Sequence, residues 1–156
     1  MTANRTDRVD SPPLAEIKVN SGVSIIIPTY REAENIPHIL TRLDALRRAE
    51  DLDLEVLFLD DNSGDGSVEA VAAAGHDWAR IIVRTANRGL SPAVIEGFRA
   101  ASNPVLVCMD CDLSHPPEKI PQLVLGLATG QLKPSEGSLE VLGERSWRNP
   151  GLGRRL

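Results

Sequence analysis

Four short runs of β-branched and aliphatic residues punctuate the chain, at Val23 to Ile27, Glu55 to Leu59, Arg80 to Val83 and Val105 to Met109. Runs of this length without a polar alternation are the pattern of strands covered on both faces. Between the first two, Ile36, Ile39, Leu40, Leu43 and Leu46 recur at steps of three and four, which places them on one stripe of a helix. Ser67 is expected to cap a second helix that runs through alanines to a stop at Gly75, and Ser91-Pro92 to open a third with Val94, Phe98 and Ala101 on its apolar side. A fourth has Pro116 or Pro117 near its start and buries Ile120, Leu123, Val124 and Leu127. Strand and helix thus alternate four times. The expected fold class is α/β, an alternating βαβα arrangement with a mostly parallel sheet, right-handed crossovers and helices on both faces. Residues 1–21, polar and holding Pro12-Pro13, are expected to be a flexible tail, 22–128 the globular unit, and 129–156 a divergent or incomplete C-terminal segment.

In sheets of this kind ligands bind outside the carboxyl ends of the strands, and the polar clusters fall there. The first run leads into Pro28-Thr29-Tyr30-Arg31-Glu32, the second into Asp60-Asp61-Asn62-Ser63, the third into Arg84 to Gly89 and the fourth into Asp110-Cys111-Asp112. If the last segment stays extended, both carboxylates face one side and Cys111 the other. Two converging hard oxygens suit Mg²⁺ or Mn²⁺, which takes one or two carboxylates and completes its shell with water and substrate phosphate. Asp60 and Asp61, being adjacent, point to opposite faces. At most one joins the metal cluster, while the other can accept from a base or ribose, or from an Asx turn in Asp-Asn-Ser-Gly. Glu32 can accept from a ribose hydroxyl or sit in the first turn of its helix, and Tyr30, the single tyrosine, can line a base pocket or pack its loop. His115 stands beside the acids and can either hold the turn or touch phosphate.

With 156 residues, 42% of them hydrophobic, the chain fits one domain, and its 2 Trp, 1 Tyr and 2 Phe require an aliphatic core. The net charge of −5 argues against a nucleic-acid partner. Arg145, Arg148, Arg154 and Arg155 nevertheless gather at the C-terminal end without an acid among them. The first twenty residues lack the apolar stretch of a secretory signal, and no apolar run approaches a bilayer-spanning length, so a cytoplasmic location with at most peripheral membrane contact is expected. Cys108 and Cys111, if the strand continues through both, stand about 10 Å apart, beyond the roughly 7 Å reach of a disulfide, and are expected to be buried thiols. No G-x-x-x-x-G-K-[ST], no G-x-G-x-x-G after the first strand and no G-x-S-x-G occurs, which removes the main support for P-loop, dinucleotide-oxidoreductase and serine-hydrolase chemistry.

Four ordered segments carry a family resemblance: Val23 to Ile36 (VSIIIPTYREAENI), Leu59 to Ser63 (LDDNS), Arg88-Gly89-Leu90-Ser91 with Ala93 to Phe98, and Met109 to Glu118 (MDCDLSHPPE). Over about 100 residues they resemble the family 2 glycosyltransferases, and within these the dolichol-phosphate, or polyprenyl-phosphate, mannosyltransferases. The resemblance implies a GT-A fold for residues 22–128, GDP-mannose as donor, a divalent cation, Mg²⁺ or Mn²⁺, and transfer of the sugar with inversion to a polyprenyl phosphate. By motif match it implies that Pro28, Tyr30, Glu32, Leu59 and Asp61 hold the nucleotide. Asp110 and Asp112, the catalytic pair, would meet the metal and diphosphate, with Cys111 touching the donor from a position that is usually alanine. Ser114 stands where relatives place a metal-binding Gln or a Ser, and its role is left open. Beyond residue 128 the likeness weakens to a poor echo at Gly143 to Trp147, where Arg145 is matched to an acceptor-phosphate ligand. The expectation is a truncated glycosyltransferase, and the alternative a non-catalytic fragment that binds the nucleotide sugar.

Overall fold

A computed structural model describes residues 20–132, together with the backbone of two short strands at 139–141 and 144–147. The N-terminal tail expected at 1–21 therefore lies almost entirely outside the described residues. The elements run β1 (Val23–Thr29), α1 (Ile36–Ala49), β2 (Leu54–Asp60), α2 (Ser67–Ala74), β3 (Ala79–Val83), α3 (Leu90–Ala100), β4 (Val105–Cys108) and, after a 3₁₀ turn over Pro117–Lys119, α4 (Ile120–Ala128). β5 (Leu139–Val141) and β6 (Glu144–Trp147) form a separate antiparallel pair.

β1 to β4 make one parallel sheet in the order β3-β2-β1-β4. The period of two along β1 divides its side chains between two layers. Val23, Ile25 and Ile27 join Ile36, Ile39, Leu40, Leu43 and Leu46 of α1, Val71 of α2, and Ile120 and Val124 of α4 in the larger core, whereas Ile26 packs with Leu57, Leu59 and Ala93 beneath α3. Helices therefore cover both faces, as the apolar runs require. α3 lies opposite the others because the chain turns back across the sheet between β3 and β4, and a crossover of unchanged hand then falls on the other face.

That reversal puts β1 between a strand reached by moving one way and a strand reached by moving the other. The β1–β4 ladder runs only from Val23↔Val105 to Ile26↔Cys108, although β1 continues to Thr29 beside β2. Ile26 C=O accepts from Met109 N–H, so the peptide groups two residues on, at Pro28, face the same way, toward β4. Proline has no N–H to offer there. The pairing ends and a crevice opens between the two strand ends, the place where open α/β sheets receive ligands.

Local chemistry shifted two expected boundaries. α2 begins as anticipated, but Ser67 is its first residue and not its cap: Gly66, at φ 100°, makes the turn, and Asp65 Oδ1 accepts both Ser67 N–H (3.1 Å) and Ser67 Oγ–H (2.7 Å). β4 ends at Cys108, so Asp110 to Asp112 lie in a turn and not in an extended strand, with Leu113 in the left-handed region at φ 64°.

Candidate functional site

Three loops meet at the carboxyl ends of β1, β2 and β4. After β1 the chain passes Tyr30, Arg31 (φ 60°) and Glu32 before α1 starts. Arg31 N–H donates to Ser63 Oγ (2.8 Å), Ser63 Oγ–H donates to Asp60 Oδ1 (2.5 Å), and Ala33 N–H donates to Asp65 Oδ2 (3.2 Å). The β1 and β2 loops are thus cross-bonded through side chains that accept backbone N–H groups, the usual work of short polar residues in turns. Asp60, 2% exposed, is absorbed in this scaffold, since its Oδ2 also accepts Ser63 N–H (2.9 Å). The side-chain-to-backbone bond of this segment comes from Asp60, three residues before its donor, and not from an Asx turn at Asp61.

Asp61 points elsewhere. One oxygen accepts from Arg84 Nη1 and the other from Gly89 N–H (2.6 Å), and its side chain keeps 13% exposure. Arg84 also donates from Nε to Glu96 Oε2 (2.8 Å) and from Nη2 to Asn87 C=O (2.6 Å), with its side chain 1% exposed. Burial works against the charge on Arg84, but Glu96 and Asp61 outweigh it and raise its pKa. Tyr30, 51% exposed, has the guanidinium groups of Arg31 and Arg88 at 5.3 and 5.4 Å from its ring centroid. Such cation–π contacts are worth roughly 0.5–1 kcal/mol at exposed positions. Glu32 Oε2 accepts from Asn35 Nδ2 (2.6 Å), which fixes it at the mouth of α1.

On the β4 side Asp110 and Asp112 are exposed and Cys111, at 2%, is buried between them, so the out-in-out alternation survives within the turn. Asp112 Oδ1 accepts Ser114 N–H (2.9 Å) and Ser114 Oγ–H (2.5 Å), and these bonds hold its carboxyl below the usual carboxylate range. His115 Nδ1 accepts Asp110 N–H (3.1 Å). Ser114 and His115 therefore fix the turn that presents the two acids. Burial, with Asp110 adding to it at Cys108 and acidic neighbours including Glu32 at Cys111, pushes both thiols up to about 12, and both are free. Among the described residues no group of three or more His, Cys, Asp or Glu side chains is arranged to hold a metal. Asp110 and Asp112 fit a hard divalent cation that keeps most of its shell for water and phosphate, and do not fit one enclosed by protein ligands.

The residues expected from sequence are brought together in part. Pro28, Tyr30 and Glu32 follow one another at the carboxyl end of β1, Asp110 and Asp112 lie in the turn after the neighbouring β4, and Asp61 follows β2 on the other side of β1, held by Arg84 and Gly89. Leu59 is fully buried against Ile26 and Ala93, so its side chain belongs to the core, as does that of Cys111. Arg145 falls in β6, outside the residues whose side chains are described. Arg84 and Asp65 were missed. The available signal for Arg84 was a charge that continues the alternation of Arg80 and Ile82 just past β3, beside the acid pair at the end of β2.

The profile of Glycosyl transferase family 2 matches residues 24–132, from β1 to just past α4. The chain belongs to this family. Among curated relatives it is 52% identical over 103 residues to a dolichol-phosphate mannosyltransferase of Saccharomyces cerevisiae, covering 64% of this chain and 39% of that one. It is 46% identical over 110 residues to a dolichol-phosphate mannosyltransferase of Mycosarcoma maydis, covering 67% and 37%. The chain thus spans well under half the length of these relatives. A mannosyltransferase from Pyrobaculum calidifontis, solved in complex with GDP-Man and Mn²⁺, superposes with a TM-score of 0.62 at 30% identity over 76% of this chain and 34% of that one. The fold is that of the GT-A glycosyltransferases.

Proposed function

We propose that this chain binds GDP-mannose in the crevice between β1 and β4 and passes its mannose, with inversion, to the phosphate of a polyprenyl lipid. The observation that carries this is the sheet reversal itself. It brings the loop that follows β1, with Tyr30 and Glu32, next to the loop that follows β4, with Asp110 and Asp112, and supports the reading in a chain 52% identical to a dolichol-phosphate mannosyltransferase over the matched region. Tyr30 offers a ring face for the base, while Glu32 and Asp61 offer acceptor oxygens for base or ribose donors. Asp110 and Asp112 would hold a divalent cation, Mg²⁺ or Mn²⁺, which when bound neutralises charge on the departing diphosphate.

No residue is assigned as a general base. The second pKa of a phosphate monoester is about 6, so the acceptor reaches the anomeric carbon already largely ionised. Its bond to that carbon forms as the bond from carbon to the diphosphate breaks, and the electron pair leaves on GDP. Two anionic groups must then approach each other, and Arg31 and Arg88, both exposed and within 5.4 Å of the Tyr30 ring centroid, supply the positive charge on the donor side. No helix among the described residues is long and apolar enough to cross a membrane.

The test is calorimetric titration of GDP and GDP-mannose with and without Mn²⁺, followed by transfer of labelled mannose to a short polyprenyl phosphate. Metal-dependent binding and label in the organic phase are expected. Metal-dependent binding without transfer would identify a donor-binding module, and no binding of either nucleotide would overturn the proposal.

A further inference from the structure

We propose that Arg84 is a positioning residue for donor recognition, a buried latch that fixes the Asp61 carboxylate and the 87–89 turn in one frame at the crevice. This rests on the glycosyltransferase proposal above and adds to it a residue that touches neither donor nor metal. The geometry is specific. Arg84 follows β3, its main-chain N–H donating to Asp60 C=O (2.7 Å), and its side chain lies on the α3 face of the sheet. From there the guanidinium reaches the β2 loop through Asp61, α3 through Glu96, and the turn before α3 through the Asn87 carbonyl.

A planar fork with five donors can meet three acceptors in different directions, which an ammonium group cannot do with the same orientation. Asp61 closes the frame with its second oxygen on Gly89 N–H, and Gly89 itself, at φ 124°, adopts a conformation that L side chains rarely take. With one partner on each oxygen, Asp61 cannot rotate. Its remaining lone pairs face a fixed direction, which suits an acceptor for a nucleoside N–H or O–H, because a preset hydrogen-bonding group loses little freedom when the ligand arrives. Glu96 is half-exposed and holds the other side of the fork, so the guanidinium stays seated whether or not a donor occupies the crevice.

A merely structural arginine and a positioning one differ in how they combine with Asp61. GDP is titrated in Mn²⁺ into the full-length wild type, Arg84→Gln, Asp61→Asn and the double variant, with thermal melts of each. Arg84→Gln and Asp61→Asn are each expected to weaken GDP about ten- to a hundredfold, the range for a hydrogen bond to a charged group. The double variant should bind within about twofold of the weaker single, because Arg84 acts through Asp61. Losses that multiply, or an Arg84→Gln variant that binds like wild type, overturn the assignment. If Arg84→Gln fails to fold, Arg84→Lys supplies the readout: it keeps the charge without the fork and is expected to lose at least about fivefold in affinity at a near-native melting point, whereas wild-type affinity overturns the proposal. A wild type that binds no GDP overturns the glycosyltransferase proposal as well, so the two failures are distinct.

Discussion

Asp110 and Asp112 are both exposed, with Cys111 buried between them, although β4 ends at Cys108 and none of the three lies in a strand. A turn does the work that pleating was expected to do, and Ser114 and His115 hold it. The types of residue were legible; the hydrogen bonds that make the turn were not, because Ser114 Oγ could as well have faced the solvent or a metal. Asp112→Ala is expected to abolish Mn²⁺-dependent GDP binding, a loss of more than about a hundredfold, with only a small fall in melting point, since the exposed side chain gives up just its two bonds from Ser114. Ser114→Ala, which removes only a partner of a ligand, should cost about tenfold. Calorimetric titration checks both, and equal affinity for wild type and Asp112→Ala would remove the metal assignment. Leu59 is the opposite case: motif matching put it at the nucleotide, whereas its side chain faces away, into the layer under α3. Its side chain fixes the strand end from which Asp60 and Asp61 project.

At the scale of elements, the helical stripe of α1 was readable residue by residue, because a period of 3.6 has one burying solution and all five expected positions are buried. What could not be read was which face each helix covers. Gly97 marks the contact of α3 with the sheet: a Cβ there would lie 2.5 Å from Ile26 Cγ2 and 2.9 Å from Leu59 Cδ2, both fully buried. Gly97→Ala gains about 1 kcal/mol of helix propensity but faces an overpacking cost of about 1–3 kcal/mol, so a net destabilisation of up to about 2 kcal/mol is expected in chemical denaturation. At the opposite end of the sheet, Glu55 of β2 links β1 and the α3–β4 loop by accepting from Ser24 Oγ (2.5 Å), Ser102 N–H (2.8 Å) and Ser102 Oγ (3.1 Å). Burial opposes its charge, but these bonds together with Arg80 prevail and hold its carboxyl below the ordinary value of 4.5. The folded-state value lies below the unfolded one, so its contribution to stability is present above about pH 4.5 and is lost as the pH falls through the folded-state value. Glu55→Gln should therefore melt lower than wild type at pH 7, with the difference closing below pH 4.5; a constant difference across that range would contradict the linkage.

Over the whole molecule, donor and metal should bind only the folded sheet, since the crevice exists only where β1 and β4 are paired below it. Saturation at about a hundred times Kd then stabilises the fold by about 2.7 kcal/mol, read as a rise in melting temperature with GDP and Mn²⁺ together, absent with either alone and reversed by EDTA. A rise with GDP in EDTA would place the nucleotide elsewhere. Spanning 39% of the yeast relative, the chain still contains all four strands of the reversal and both loops that border it.

Sequence by itself determined the alternation of strands and helices, the aliphatic core and the position of acids at strand ends, because each follows from local periodicity and from the short reach between a strand and the loop after it. Tertiary structure alone decided the order β3-β2-β1-β4, the early parting of β4 from β1 at Pro28, and the seating of Arg84 on Asp61. Those depend on which strands become neighbours, and pairings between segments tens of residues apart are set by the packing of whole layers, which no local pattern encodes.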